Sequence, residues 1–152
     1  MTKSVAYTSL IVSVGIVIAL AIGAPTLLSD NGNGFLKSFV SHELLAILGV
    51  ILAITLASAG QLHLTFNKIE EDYKQKNALN SARRSVQSAA YWLIGLFLFA
   101  VTLVVVKPLV ATTPWSQTLF NGFAIVILIA YVLALIDLLK TTFAIGPKID
   151  GD

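Results

Sequence analysis

Read for polarity alone, the chain alternates long apolar runs with short polar ones. Four apolar runs, at about 5–28, 43–64, 89–110 and 117–139, stand out. Each suffices as a helix to cross a bilayer core of about 30 Å, which takes roughly 20 residues. No water is available there to satisfy the backbone, and a helix closes its hydrogen bonds within one segment. The pattern predicts an all-α polytopic membrane protein with four transmembrane helices, forming a single domain over 1–152.

The polar breaks fit this division. SDNGNG, at 29–34, is a turn-rich stretch after span one, and Pro25 ends or bends that helix. Pro108 and Pro114 separate spans three and four. Between spans two and three only NALNS, at 77–81, reads as a turn, and Asn80 or Ser81 is placed to cap span three. Ala21-Ile22-Gly23 has the look of a signal-peptide cleavage site, but the apolar run is longer than a typical signal core. Span one is therefore expected to be retained.

The stretch beyond Phe66 turns abruptly charged while keeping helical spacing. Glu70 and Lys74, and Asp72 and Lys76, are acid-before-base pairs at i,i+4, and Ile69 and Tyr73 form a narrow apolar stripe. Span two is thus expected to extend into a cytoplasmic helical hairpin with span three, over about 65–88. Lys68, Glu70, Glu71, Lys74, Arg83 and Arg84 are its partner-facing residues.

Composition strengthens the membrane reading. The 152 residues are 57% hydrophobic and only 12% charged, with mean hydropathy +0.86. A chain this small buries only part of its surface, so lipid is the natural solvent for the surplus. The net charge of +2 matters less than its distribution. Lys3, Lys68, Lys74, Lys76, Arg83, Arg84, Lys140 and Lys148 lie on one side of the predicted spans, and only Lys37 and Lys107 on the other. The positive-inside rule then puts both termini in the cytoplasm, the expected location being a bacterial cytoplasmic membrane. Trp92 and Trp115 fall near opposite interfaces, and no basic run interleaved with aromatics points to nucleic acid.

Small residues form ladders on two spans: Gly15, Ala19 and Gly23 on the first, and Ala46, Gly49, Ala53, Ala57 and Gly60 on the second. Steps of three and four keep each ladder on one face, and small faces let helix backbones approach closely in lipid. Spans one and two are expected to pack on each other, or a ladder to join neighbouring subunits.

The candidate chemistry is sparse. His42-Glu43 begins an HExxH pattern, but Ala46 stands where the second zinc ligand belongs. His42 and His63 are roughly 31 Å apart along one helix, too far to share a metal or a haem. The sequence has no cysteine, which removes thiolate chemistry, and it has no nucleotide loop or G-x-S-x-G element. No enzyme activity and no cofactor are expected. Glu43, Thr55, Ser58 and Gln61 give span two a polar edge, the natural lining of an ion path. Glu43 is also placed to pair with Lys107 at the outer face. His63 and Asp137 sit at similar depth near the cytoplasmic ends of their helices and form a second candidate pair.

Two functions follow. One is a small homo-oligomeric membrane protein, a gated pore or membrane effector controlled through its cytoplasmic hairpin by a protein partner. That layout is similar to compact four-span effectors of phage exclusion, an analogy of architecture alone. The other is a non-catalytic accessory subunit of a larger membrane complex.

Overall fold

The computed structural model describes residues 3–72 and 79–144. Six helices account for nearly all of them: α1 (Lys3–Gly23), α2 (Pro25–Leu28), α3 (Gly34–Ser38), α4 (Leu44–Asp72), α5 (Asn80–Val110) and α6 (Pro114–Ala144). No strand occurs among the described residues. Three stretches are long and apolar enough to cross a membrane: Gly34–Glu71, Asn80–Val110 and Pro114–Lys140. α1 adds a shorter apolar stretch, Thr8–Gly23. Lys74 and Lys76, with their pairing to Glu70 and Asp72, the Ile69–Tyr73 stripe, Asn77 and Ala78 of the NALNS turn, and Lys148 all lie outside the described residues.

The helix ends follow from local chemistry. α1 stops where Ala24 leaves helical geometry, at φ −148° and ψ 65°, and Pro25 opens α2 at the first helical position. The loop after α2 is folded tightly on itself. A Cβ on Gly32 would lie 1.9 Å from the Thr26 carbonyl oxygen, so the backbone approach there requires glycine. Asn33 caps α3 by accepting the Leu36 N–H at 3.1 Å, while its amide donates to the Leu27 carbonyl, also at 3.1 Å.

Between α3 and α4 the chain kinks at Val40 and Ser41, whose dihedrals are not helical. The Ser41 hydroxyl donates to the Ser38 carbonyl across this kink. At the other connection Thr113 and Ser116 cap each other's backbone, with contacts of 3.1 and 3.2 Å, and Pro114 leads α6. Pro108 does not separate the two helices. It sits in the last turns of α5, whose end is closed by the Ala111 N–H on the Lys107 carbonyl at 2.8 Å.

α6 is the centre of the packing. α1 and α2 lie along it on one side and α5 on another, while α4 packs chiefly on α5. The main core runs through Leu28, Leu36, Val40, Leu44, Leu48, Leu93, Ala100, Leu103, Ala124, Ile127 and Tyr131. A smaller cluster at the other end joins Phe66, Val86 and Leu138. Tyr131 is fully buried and donates its hydroxyl to the Leu48 carbonyl at 3.0 Å, tying α6 to α4. Such a phenol needs a partner when buried, and the carbonyl supplies it.

α1 packs against α6, which corrects the expectation that spans one and two lie together. The reason is Gly122. A Cβ there would meet Val17 Cγ1 at 2.7 Å, so α1 settles into the α6 surface at this glycine.

The outer surface carries many large apolar side chains. Ile11, Ile22, Ile54, Leu64, Leu98 and Leu109 all project outward. No more than 28% of the most apolar stretch of any of the three long helices is buried inside the protein. Exposed apolar area on this scale marks a membrane-facing surface.

Candidate functional site

The most elaborate polar site lies where the loop after α2 meets the end of α5 and the start of α6. Lys107, only 6% exposed, extends its ammonium to Asp30 Oδ1 at 2.9 Å and to Asn121 Oδ1 at 2.8 Å. The Asn121 amide nitrogen donates to the Leu28 carbonyl at 2.6 Å and to the same Asp30 oxygen at 2.8 Å. This orientation of the amide is the one that works, because the opposite one would set its NH2 against the lysine. Gln117 accepts the Asp30 N–H at 3.2 Å, and the buried Thr118 hydroxyl lies 2.9 Å from the Pro25 carbonyl.

The arrangement closes on itself. Burying a charge costs heavily unless it is paired and hydrogen-bonded, and here each charge meets both an opposite charge and the asparagine. Among the described residues the cluster leaves no buried side-chain nitrogen or oxygen without a partner. Its chemistry is that of a lock joining three segments far apart in sequence.

This corrects the expected Glu43–Lys107 pair. Lys107 faces α6 and the α2 loop, whereas Glu43 sits exposed at the kink and accepts the Ser38 hydroxyl at 2.8 Å. Asp30, read only as part of a turn, is the true partner. The signal for Asn121 was present: a short link between two antiparallel helices sets Lys107 beside the first turns of span four, where Asn121 interrupts an apolar run.

The expected ion-path residues do not share one face. Thr55 is buried and donates to the Ile51 carbonyl at 2.8 Å, whereas Glu43, Ser58 and Gln61 are exposed. At 3.6 residues per turn Glu43, the residue just before α4, and Gln61, 18 positions on, fall on one line. Thr55 is turned about 120° away from that line.

The ladders point outward. Gly15, Ala19 and Gly23 are exposed on α1, and Ala46, Ala53, Ala57 and Gly60 on α4. Gly49 is half-buried, with the Phe97 ring 3.6 Å from where a Cβ would stand. On α4 the buried line runs through Leu44, Leu48, Thr55 and Phe66, and the ladder lies on the opposite side.

At the far end of the bundle Glu70 makes two contacts across to α5. One oxygen accepts the Leu79 N–H at 3.2 Å and the other meets Arg83 Nη2 at 3.3 Å, while that nitrogen also donates to Asn67 at 2.7 Å. Glu70 and Arg83 thus hold α4 and α5 together, and are committed inward. Lys68, Glu71 and Arg84 are exposed. His63 lines a groove between α4 and α5 with Phe66, Arg83, Val86 and Gln87, and Asp137 is exposed on α6. Among the described residues no group of three or more metal-ligating side chains comes together. Comparison with protein families, with curated proteins and with solved structures finds no match.

Proposed function

We propose that the chain is a four-span membrane protein that self-associates through the outward face of α4, and that its assembled form is a pore closed at rest. The observation behind this reading is the placement of the α4 ladder. Ala46, Ala53, Ala57 and Gly60 are exposed on the side of α4 opposite its buried line, away from the core of the described residues. In lipid such stripes bring helices together through close van der Waals packing. Ser58 and Gln61, exposed on the flank of the same helix, and Glu43, exposed just before its first residue, add polar groups that are costly against acyl chains and satisfied at a subunit junction or in water.

α1 is the fourth span in this reading, and the excess of lysine and arginine sets both termini in the cytoplasm. Glu43 then forms a carboxylate ring at the outer mouth by symmetry. Between it and Thr55 the outward face of α4 carries Ile47, Val50 and Ile54, an apolar stretch that resists wetting. Opening would follow movement of α4, and the Glu70–Arg83 contact makes the cytoplasmic hairpin the lever that a partner would work.

The apolar middle of that face suits packing against a different membrane subunit equally well, which supports the accessory-subunit reading. Planar bilayers with the purified protein separate the two. Cation-preferring currents that lose their preference in Glu43→Gln are expected of the pore. Bilayers silent with the hairpin's partner present, or currents indifferent to Glu43, favour the accessory subunit.

A further inference from the structure

The exposed face of α5 carries an ordered series of side chains that neither the polar lock nor the α4 stripe uses. Arg84, Gln87, Ser88, Tyr91 and Trp92 line an open groove of about 440 Å³. Their spacing of three and four residues stacks them on one side of the helix. The same side continues through Gly95 to Leu98 and Phe99, all exposed. Nothing lies within 4 Å of where a Cβ would stand on Gly95, so a notch opens between the Tyr91–Trp92 pair and the Leu98–Phe99 pair.

We propose that this face is a binding site for one anionic phospholipid. The polarity of its side chains follows the order met on entering a bilayer. Arg84 stands outermost, and no described residue forms an ion pair with it. Its neighbour Arg83, by contrast, is occupied by Glu70 and Asn67. A guanidinium matches phosphate oxygens with two parallel N–H donors, and a flexible stem lets it reach outward to the headgroup plane. Gln87 and Ser88, one turn further in, offer an amide and a hydroxyl to the headgroup and glycerol oxygens. Tyr91 and Trp92 follow at the depth where amphipathic rings settle, about 12 Å from Arg84 along the axis. The Gly95 notch then receives the start of an acyl chain, and Leu98 and Phe99 flank its continuation.

A helix from another protein fits this face less well. Two bulky rings, 73% and 68% exposed, stand where close helix packing wants small residues. Charge supplies the selectivity: a zwitterionic headgroup offers a phosphate whose charge is already balanced, whereas a phosphatidylglycerol phosphate leaves the arginine its full counter-charge. The inference rests on α5 crossing a membrane, and is independent of self-association and conduction.

The two tryptophans make it testable in the full chain. In a Trp115→Phe background only Trp92 fluoresces. The protein is reconstituted in phosphatidylcholine vesicles carrying brominated phosphatidylglycerol, or the same fraction of brominated phosphatidylcholine. Bromine quenches a tryptophan that it touches, so the two curves compare occupancy of the groove. The expected result is about a fivefold preference for the anionic lipid, the effect of one basic side chain near the surface. Arg84→Ala removes the preference. Equal quenching by both lipids, or a preference retained in Arg84→Ala, overturns the proposal. Weak quenching by both also overturns it and assigns the face to a protein, a second copy included.

Discussion

Among single residues, Lys107, Asp30 and Asn121 are those whose individual loss would strand a buried polar or charged partner. Removing one member of a buried ion pair leaves the other uncompensated, at a cost of about 3–5 kcal/mol. Lys107→Ala and Asp30→Ala are each expected to lose roughly that much, read as an earlier unfolding midpoint in detergent. Lys107→Met combined with Asp30→Leu removes both charges and recovers much of the loss, because two apolar side chains leave no stranded charge. Single variants that melt like the parent would mean that the pair is solvated and structurally idle. Gly122 acts at the same scale. Its backbone lies against Val17, so Gly122→Leu is expected to cost about 1–3 kcal/mol by overpacking the α1–α6 contact. Gly15→Leu and Gly60→Leu, with open space around them, leave the melting of a detergent-dispersed monomer unchanged. A Gly122→Leu variant as stable as the parent, or ladder variants that unfold early, would reverse the assignment of faces.

The helices themselves were largely readable from sequence, because length and apolarity decide them. α5 begins at Asn80, inside the NALNS turn, but neither Asn80 nor Ser81 caps it: Leu79 holds the cap position, with no side-chain hydrogen bond to the helix end. α4 continues past Phe66 to Asp72, as its charged helical spacing implies. α6 begins at Pro114 rather than near Gln117, since the Thr113–Ser116 cap recruits polar residues that hydropathy leaves out. The kink at Val40–Ser41 had no sequence marker: FVSHE carries neither glycine nor proline. What hydropathy could not tell was rotation. A helix apolar on nearly every side gives no clue to which line faces the core, so the ladder on α4 could be read equally well as an internal or an external contact. Rotation was decided by particular contacts, Tyr131 on Leu48 and Gly122 on Val17, which pair residues far apart in the chain. The same gap hid the Asp30–Lys107 pair, because the order of helices around α6 had to be known first.

At the scale of the whole molecule the protein is locked at one end by the Asp30–Lys107–Asn121 cluster and tied at the other by Glu70 and Arg83. Between these ends lies an apolar exterior, with small residues on α4 directed away from the subunit. We read that face as the junction between copies, with the α4 helices meeting around the symmetry axis so that like residues oppose one another. The absence of cysteine makes the junction directly accessible to experiment. Single cysteines are placed at Ala53 and Ala57 on the ladder, and at Leu98 on the exposed face of α5 as the reference. Membranes carrying each variant are oxidised, and the fraction of disulfide-linked dimer is measured. Strong cross-linking at Ala53 and Ala57 with little at Leu98 is the expected result. No cross-linking at either ladder position, or as much at Leu98, would contradict self-association through α4.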